Sequence, residues 1–200
     1  MIDGTTQIDF GPREYVHESR LGVWFLGTQT WATHVLTRAL NDLEPLIKNR
    51  HSSYPVILDA GCGWGRSFKL LKERFLPTRL IDIDPEMIGA SRRAIAPDRI
   101  EVEFRCESSA RIGLSSQSVD MIFCHQTFHH VVNQEGAIRE FQRLHKPGGI
   151  LLFAESTRAY IHSWLIRLLF RHDMDVQKSA DEYVRMIENA GFTVDRSSIS

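Results

Sequence analysis

Apolar residues recur along this chain in two alternating rhythms. Short, largely apolar runs at residues 56–58, 80–83, 119–124 and 150–154, broken only by Asp82 and Asp120, have the length of strands buried on both faces, and residues 100–105 alternate apolar and polar as a strand near a sheet edge does. Between these runs the spacing is helical. Residues 68–75 follow the first run and end at Pro77. A segment opened by Asp84, Pro85 and Glu86 follows the second, with Asp84 as its N-cap. Residues 134–145 follow the fourth, with Ala137, Ile138, Phe141 and Leu144 on one face. Lys146-Pro147-Gly148-Gly149 then stops that helix and starts the last buried strand. Strands alternating with helices predict an α/β architecture.

The two ends carry helical patterns of another kind. Residues 12–48 read as helical: Pro12 suits a first turn, and Ala32, Val35, Leu36, Ala39, Leu40, Leu43 and Ile47 repeat at helical spacing behind a Thr28 or Thr30 cap. Pro45 should kink or end that helix. Residues 21–27 form an apolar patch between glycines with the Trp24-Phe25 pair. Packing on the sheet is the expectation for residues 32–47, whereas Trp24, Phe25 and Trp31 are as well suited to a ligand pocket. Residues 156–178 hold a helical stripe of Ile161, Trp164, Leu165, Leu168 and Leu169 beside Arg158, Arg167, Arg171 and His172. Three readings stand for it: a stripe packed on the sheet, a lid over a pocket, or interfacial contact by residues 160–171 with a membrane or lipid-like substrate. Residues 179–190 read as a helix closed by Gly191, and 192–200 as one more strand with an exposed, weakly held edge.

Two hundred residues suit a single three-layer domain: a helical cap at 1–50, a core at 55–155, a lid helix at 156–178, and a last helix with edge strand at 179–200. Basic and acidic residues nearly cancel, 24 against 25, so charge makes no case for a nucleic-acid partner. Cys62, Cys106 and Cys124 are odd in number and form no C-x-x-C pair, which indicates neither disulfides nor a zinc site and suits a reducing, cytoplasmic compartment. The first residues lack the order of a signal peptide, and no apolar run reaches membrane-spanning length, so no stable membrane insertion is expected.

Chemistry concentrates where the first strand ends. Asp59-Ala60-Gly61-Cys62-Gly63-Trp64-Gly65-Arg66 places three glycines on alternate positions, where the backbone turns sharply and can approach a ligand, and the helix that follows directs unpaired N–H groups into the turn. A dinucleotide fingerprint begun at Gly61 and Gly63 needs its third glycine at position 66, where Arg66 stands. Asp82 ends the second strand 21 positions beyond Gly61, a distance suited to a ribose diol. His125, Gln126, Thr127, His129 and His130 follow the fourth strand, at the end where ligands of open α/β sheets sit.

The Asp59-x-Gly61-x-Gly63-x-Gly65 loop resembles the first motif of the class I S-adenosylmethionine-dependent methyltransferases, in their small-molecule, methyltransferase type 11-like branch. Further matches are Asp82 ahead of a Pro-Glu-Met helix start, residues 107–120 on a G-D-A-x-x-L-P-F-x-D-G-S-F-D segment, and Leu144 to Gly149 on a Leu-x-Pro-Gly-Gly turn. The resemblance is strong over about residues 55–155. It implies a Rossmann-like, doubly wound, mostly parallel sheet whose cofactor is S-adenosyl-L-methionine, with S-adenosyl-L-homocysteine as product. It implies cofactor contacts at Asp59, Gly61, Cys62, Gly63, Gly65, Asp82, Ile83, Met87, Glu107, Ser108, Ser109 and His125. Ser108 replaces the usual adenine-binding aspartate, giving up a charge-assisted bond, and Glu107 stands one position away as a substitute. Asp59 is assigned to orienting the loop around the methionine ammonium.

The expected reaction is in-line methyl transfer to a small molecule, with O-, carboxyl or S-methylation favoured. His125 is the candidate general base, with contact to the cofactor through its backbone as the alternative, while His129 and His130 open the next helix and pack. Trp24, Trp31, Phe128, His129 and Trp164 are the candidate acceptor pocket, and no metal is expected. The Asn-Pro-Pro-Tyr tetrad of methyltransferases acting on planar nitrogens is absent after the fourth strand, which argues against a nucleobase or glutamine acceptor. Two other readings remain: a non-catalytic cofactor-binding protein acting through a partner, and an NAD-dependent oxidoreductase, disfavoured by Arg66. The molecule is expected to be a monomer or homodimer. The family sheet ends in an antiparallel pair, so its last strand is missing or the chain is truncated after Ser200.

Overall fold

The computed structural model describes residues 16, 19–47, 54–77, 79–83, 88–170 and 175–199. Among these, five strands form one parallel sheet in the order β3-β2-β1-β4-β5: β1 Val56–Asp59, β2 Arg79–Asp82, β3 Glu103–Phe104, β4 Val119–His125 and β5 His145–Ala154. Alternation along the strands explains the two helical layers. Leu58 of β1 and Ile122 of β4 point to one face, where they pack with Ala137, Ile138 and Phe141 of α6 (Gln134–Leu144) and Tyr183, Met186 and Ile187 of α9 (Ala180–Asn189). Ile57, Met121 and Phe123 point to the other. There they meet Leu36, Leu40 and Ile47 from the N-terminal helices and Phe68, Leu71 and Phe75 of α4 (Arg66–Phe75). Each such side chain contributes roughly 1.5–3 kcal/mol by leaving water. The sheet is therefore covered on both faces and doubly wound, as the continuous apolar runs require.

The strand order reverses between β1 and β4, and both strands end at the same edge of the sheet: Asp59 pairs with Phe123 and with Asp82. That reversal opens a crevice beyond the carboxyl ends, where a ligand of this architecture binds.

The N-terminal region is broken into pieces. α1 (Arg20–Leu26) is capped by Ser19, α2 (Gln29–Trp31) by Thr28, a π-helical stretch covers Ala32–Leu36, and α3 (Thr37–Ile47) continues from it with Pro45 inside. Gly27 and Thr28 interrupt the helix because the Thr28 hydroxyl accepts from Trp31 N–H and so begins a new one. The Pro12 start, the Asp84 cap and Met87 lie outside the described residues. α5 spans Ile88–Ile95.

Three expectations differ from the structure. β5 begins at His145 and runs through Lys146-Pro147-Gly148-Gly149, because a register shift between Val119 and Met121 absorbs the Pro-Gly turn as an irregularity at the edge of the sheet. Residues 192–195 add no strand. Phe192 and Val194 pack against the core, and Asp195 accepts from Ser197 N–H at 2.9 Å, drawing the backbone into a 3-10 turn at Arg196–Ser198 instead of a ladder. Residues 158–169 do not form one packed stripe either. α7 (Arg158–Ile161) and α8 (Trp164–Leu169) are separated at His162-Ser163, and although Ile161 and Ile166 are buried, Trp164, Leu165 and Leu168 face outward.

Candidate functional site

The glycine loop joins β1 to α4 at the centre of the crevice. Gly61, Gly63 and Gly65 have φ of 101°, 54° and 70°, the left-handed region that glycine enters without a Cβ clash. Two of them are also hemmed in. A Cβ on Gly61 meets Thr127 Cγ2 at 2.3 Å, and one on Gly65 meets Ser91 Cβ at 2.9 Å. Nothing lies within 4 Å of a Cβ built on Gly63, so the middle of the loop faces open space. This is a backbone cradle of the kind a cofactor's polar end needs.

Both strand-end carboxylates are buried and hold the loop's shape. Asp59 accepts from the Ser67 hydroxyl in the first turn of α4. Asp82 accepts from Cys62 N–H at 3.1 Å and from the Cys62 thiol at 3.1 Å. Thus Asp59, Gly61, Cys62, Gly63, Gly65 and Asp82 come together. Ile83 does not present a side chain to this crevice: it is 1% exposed and packs in the core with Leu58 and Ile122, leaving only its backbone, which donates to Asp59 O at 3.3 Å.

The adenine candidates are committed locally. The Ser108 hydroxyl accepts from Ala110 N–H at 3.2 Å and closes a turn whose backbone bond runs from Arg111 N–H to Ser108 O. Glu107 receives Arg105 Nη1 at 3.0 Å and Gly113 N–H at 2.7 Å, so its carboxylate ties that loop to the end of β3. Ser109, next in the chain, is half-buried.

The residues after β4 form the second half of the site. Gln126 has φ 52°, a conformation costing a non-glycine residue of order 1 kcal/mol, and is held by Gln126 N–H to Ala154 O and by the Ser156 hydroxyl on its side-chain oxygen. That turn aims Thr127 at the glycine loop, where its hydroxyl donates to Gly61 O at 2.9 Å. His125 is buried between aromatic rings, stacked on Phe123 at 5.7 Å and met edge-on by Trp31 at 5.4 Å. Burial pushes its pKa down to about 4, with a small upward contribution from the Glu155 charge.

Glu155, at the end of β5, was not singled out by sequence and is the hub of this half. Its Oε1 accepts from Thr127 and Phe128 N–H, both at 2.8 Å, and its Oε2 pairs with His129 Nδ1 at 2.6 Å. Burial raises the Glu155 pKa, but the His129 bond and charge and the two N–H groups outweigh it and hold the carboxyl below its ordinary value. The signal for it was available: an acid ending a buried apolar strand, the same reasoning that selected Asp82. Cys124 beside it is inert, since burial and the Glu155 charge push its thiol well above the ordinary value.

His129 and His130 do not open a helix. They end a 3-10 turn at Phe128–His130, and α6 starts later behind an Asn133 cap. His130 Nδ1 bonds Val16 O at 2.9 Å while Val16 N–H donates to His130 O, tying the chain's beginning to the site. Phe128, expected at an acceptor pocket, is a core residue packed on Phe141, Phe153 and Tyr183. Trp24 and Trp164 stand on the surface, so of the candidate pocket aromatics only Trp31 reaches the site, through His125. Two loop residues with no assigned role latch the cap: Trp64 Nε1 donates to Val23 O at 2.7 Å, and the Arg66 guanidinium donates to Gly27 O.

Comparisons with known proteins agree with this fold. A family model described as a methyltransferase domain matches residues 58–153. The chain is 27% identical over 146 residues to a ubiquinone biosynthesis O-methyltransferase of Azoarcus sp. (strain BH72), covering 68% of this chain and 63% of that one. It is 27% identical over 105 residues to a malonyl-[acyl-carrier protein] O-methyltransferase of Methylovorus sp. (strain MP688), covering 49% and 36%. The matched stretches therefore span less than two thirds of those curated relatives. Among solved structures, an S-adenosylmethionine-dependent methyltransferase from Aquifex aeolicus superposes with a TM-score of 0.64 at 20% identity, covering 88% of this chain and 89% of that one. Its alternate-glycine loop, its 3-2-1-4-5 parallel order and this domain match show that the chain carries, over residues 58–153, a methyltransferase domain of the class I S-adenosylmethionine-dependent kind.

Proposed function

We propose that the protein methylates a hydroxyl group of a small molecule, with His129 as the general base and Glu155 as its orienting partner. The observation that carries this reading is the buried Glu155–His129 pair, bonded at 2.6 Å and joined to the glycine loop through Thr127.

The residues present fit the family's cofactor: a glycine cradle open at Gly63 lies beside two strand-end carboxylates, Asp59 and Asp82. Bound there, S-adenosylmethionine supplies an already activated methyl group for in-line displacement. The work left to the chain is to hold the acceptor and manage its proton. With Glu155 ionised, His129 donates Nδ1–H to it, which leaves Nε2 as the basic nitrogen. An imidazolium formed on proton uptake is stabilised by the same carboxylate. His125 is a poorer base, because a nitrogen with a pKa of about 4 gains little by taking a proton from a hydroxyl near neutral pH. Its place between Trp31 and Phe123 suits it to shaping the pocket wall. A carboxylate acceptor is already ionised and needs no base, so the pair favours a hydroxyl. The names of both cited relatives, O-methyltransferases, support oxygen as the acceptor atom.

The test is transfer of a labelled methyl group from S-adenosylmethionine to a panel of phenols and aliphatic alcohols, with wild type, His129→Gln and Glu155→Gln. We expect kcat in His129→Gln to fall by roughly 10²–10⁴-fold while S-adenosylhomocysteine affinity, measured by calorimetry, changes little. Undiminished transfer by His129→Gln overturns its role. Cofactor binding without transfer to any acceptor favours a binding protein that acts through a partner.

A further inference from the structure

α1 and the end of α8 meet where Phe25 packs edge-on against Phe170 at 6.0 Å, and α1, α7 and α8 together carry six of the largest exposed apolar side chains of the described residues. Trp164 is 77% exposed, Leu168 72% and Trp24 64%, with Tyr160, Leu165 and Leu21 also open to solvent. Trp164 and Leu168 are four residues apart and share one helix face, as do Leu21 and Trp24 three residues apart. Single exposed apolar residues need no explanation, but six on adjoining elements do.

Charge narrows the occupant. Residues 19–41 and 156–172 contain no Asp or Glu, yet carry Arg20, Arg38, Arg158, Arg167 and Arg171. Arg158 is engaged by Glu182 and Arg38 by Asp42, whereas among the described residues Arg20 and Arg167 form no ion pair. A second copy docked symmetrically on this face would set Arg20 and Arg167 against themselves, since among the described residues the acids near it, Glu182 and Asp42, are already paired with Arg158 and Arg38. An anionic lipid surface answers them and also accepts tryptophan, tyrosine and leucine at the headgroup boundary.

We propose that α8, together with Leu21 and Trp24 of α1, docks the protein on an anionic lipid surface, with the apolar side chains in the headgroup region and Arg20 and Arg167 on the phosphates. This attachment lies in the plane of the surface: no helix of the described residues is long and apolar enough to cross a membrane. It is independent of which acceptor is methylated.

Flotation of the full chain with phosphatidylglycerol-containing vesicles against pure phosphatidylcholine vesicles tests it. We expect partition onto the anionic vesicles only, weakening as salt rises, with a blue shift of tryptophan emission. Joint Trp164→Ser and Leu168→Ser replacement should lower partition at least tenfold without changing the melting temperature, since both side chains are largely exposed. Arg167→Glu keeps the apolar face and should lower partition on the order of tenfold as well. The proposal is overturned by absence of wild-type partition, by equal partition of Arg167→Glu, or by a wild-type dimer that the Trp164→Ser and Leu168→Ser variant dissolves.

Discussion

Single residues here owe their chemistry to burial. His125 looks in sequence like a base poised near neutrality, but its position between Phe123 and Trp31 keeps the neutral ring. Its folded pKa of about 4 lies below the ordinary 6.5, so as pH falls the unfolded chain takes the proton first. Stability from this group is complete above pH 6.5 and is lost as pH falls toward 4, by up to ~3 kcal/mol. Replacing His125 with Phe should therefore flatten the drop in urea midpoint between pH 7 and pH 5, and an unchanged slope would count against the burial argument. Glu155 acts in the same direction at lower pH. Its folded pKa is depressed, so its contribution is present above the ordinary carboxylate value and lost as pH falls through the folded one. Glu155→Gln should lower kcat by about 10²-fold or more with little change in S-adenosylhomocysteine affinity, because the amide holds His129 without the charge that stabilises an imidazolium. A variant with wild-type kcat would reduce Glu155 to a structural role.

At the scale of elements, the site depends on how loops meet across the carboxyl ends of the strands. The Gly61 backbone sits under Thr127, and the two are coupled by a hydrogen bond and by contact. Gly61→Ala introduces both a φ of 101° and a 2.3 Å approach to Thr127. We expect a loss of about 2 kcal/mol or more in urea unfolding and weaker S-adenosylhomocysteine binding. Adding Thr127→Ser removes the Cγ2 contact but neither the 2.7 Å approach to the hydroxyl oxygen nor the backbone strain, so the double variant should recover only part; full recovery would show that neither imposes a cost. Trp64 and Arg66 extend the same logic to the cap, since both donate to α1 and its C-terminal turn. Cofactor bound to the loop should then protect α1 from proteolysis, and Trp64→Phe, which lacks the indole N–H, should lose most of that protection. Equal cleavage with and without cofactor would uncouple the cap from the loop.

For the whole molecule, a ligand that binds only the folded chain raises its stability. S-adenosylhomocysteine at a hundredfold its Kd should add about 2.7 kcal/mol, a rise of roughly 5–10 °C in melting temperature for a chain of this size. NAD should add nothing, because position 66 is arginine and its guanidinium is committed to Gly27 O. A shift with NAD and none with S-adenosylhomocysteine would overturn the cofactor assignment.

The periodicity of residues 55–155 determined the α/β class and the parallel sheet, because strands covered on both faces must be continuously apolar and such runs are visible in any one sequence. The alternate glycines and the distance to Asp82 determined where a ligand loop lies and carried the resemblance to a family, since backbone geometry at a tight turn restricts residue type locally. Pairings between distant positions were not visible. Glu155 meets His129 across 26 residues, Thr127 meets Gly61 across 66 and Val16 meets His130 across 114, and no local pattern encodes which strand ends adjoin. Burial was equally hidden where a residue type suits both core and pocket. Phe128 and Ile83 are sealed in the core, Trp164 stands in solvent and Trp31 reaches the site, and only the packing of the layers around the sheet decides among those places.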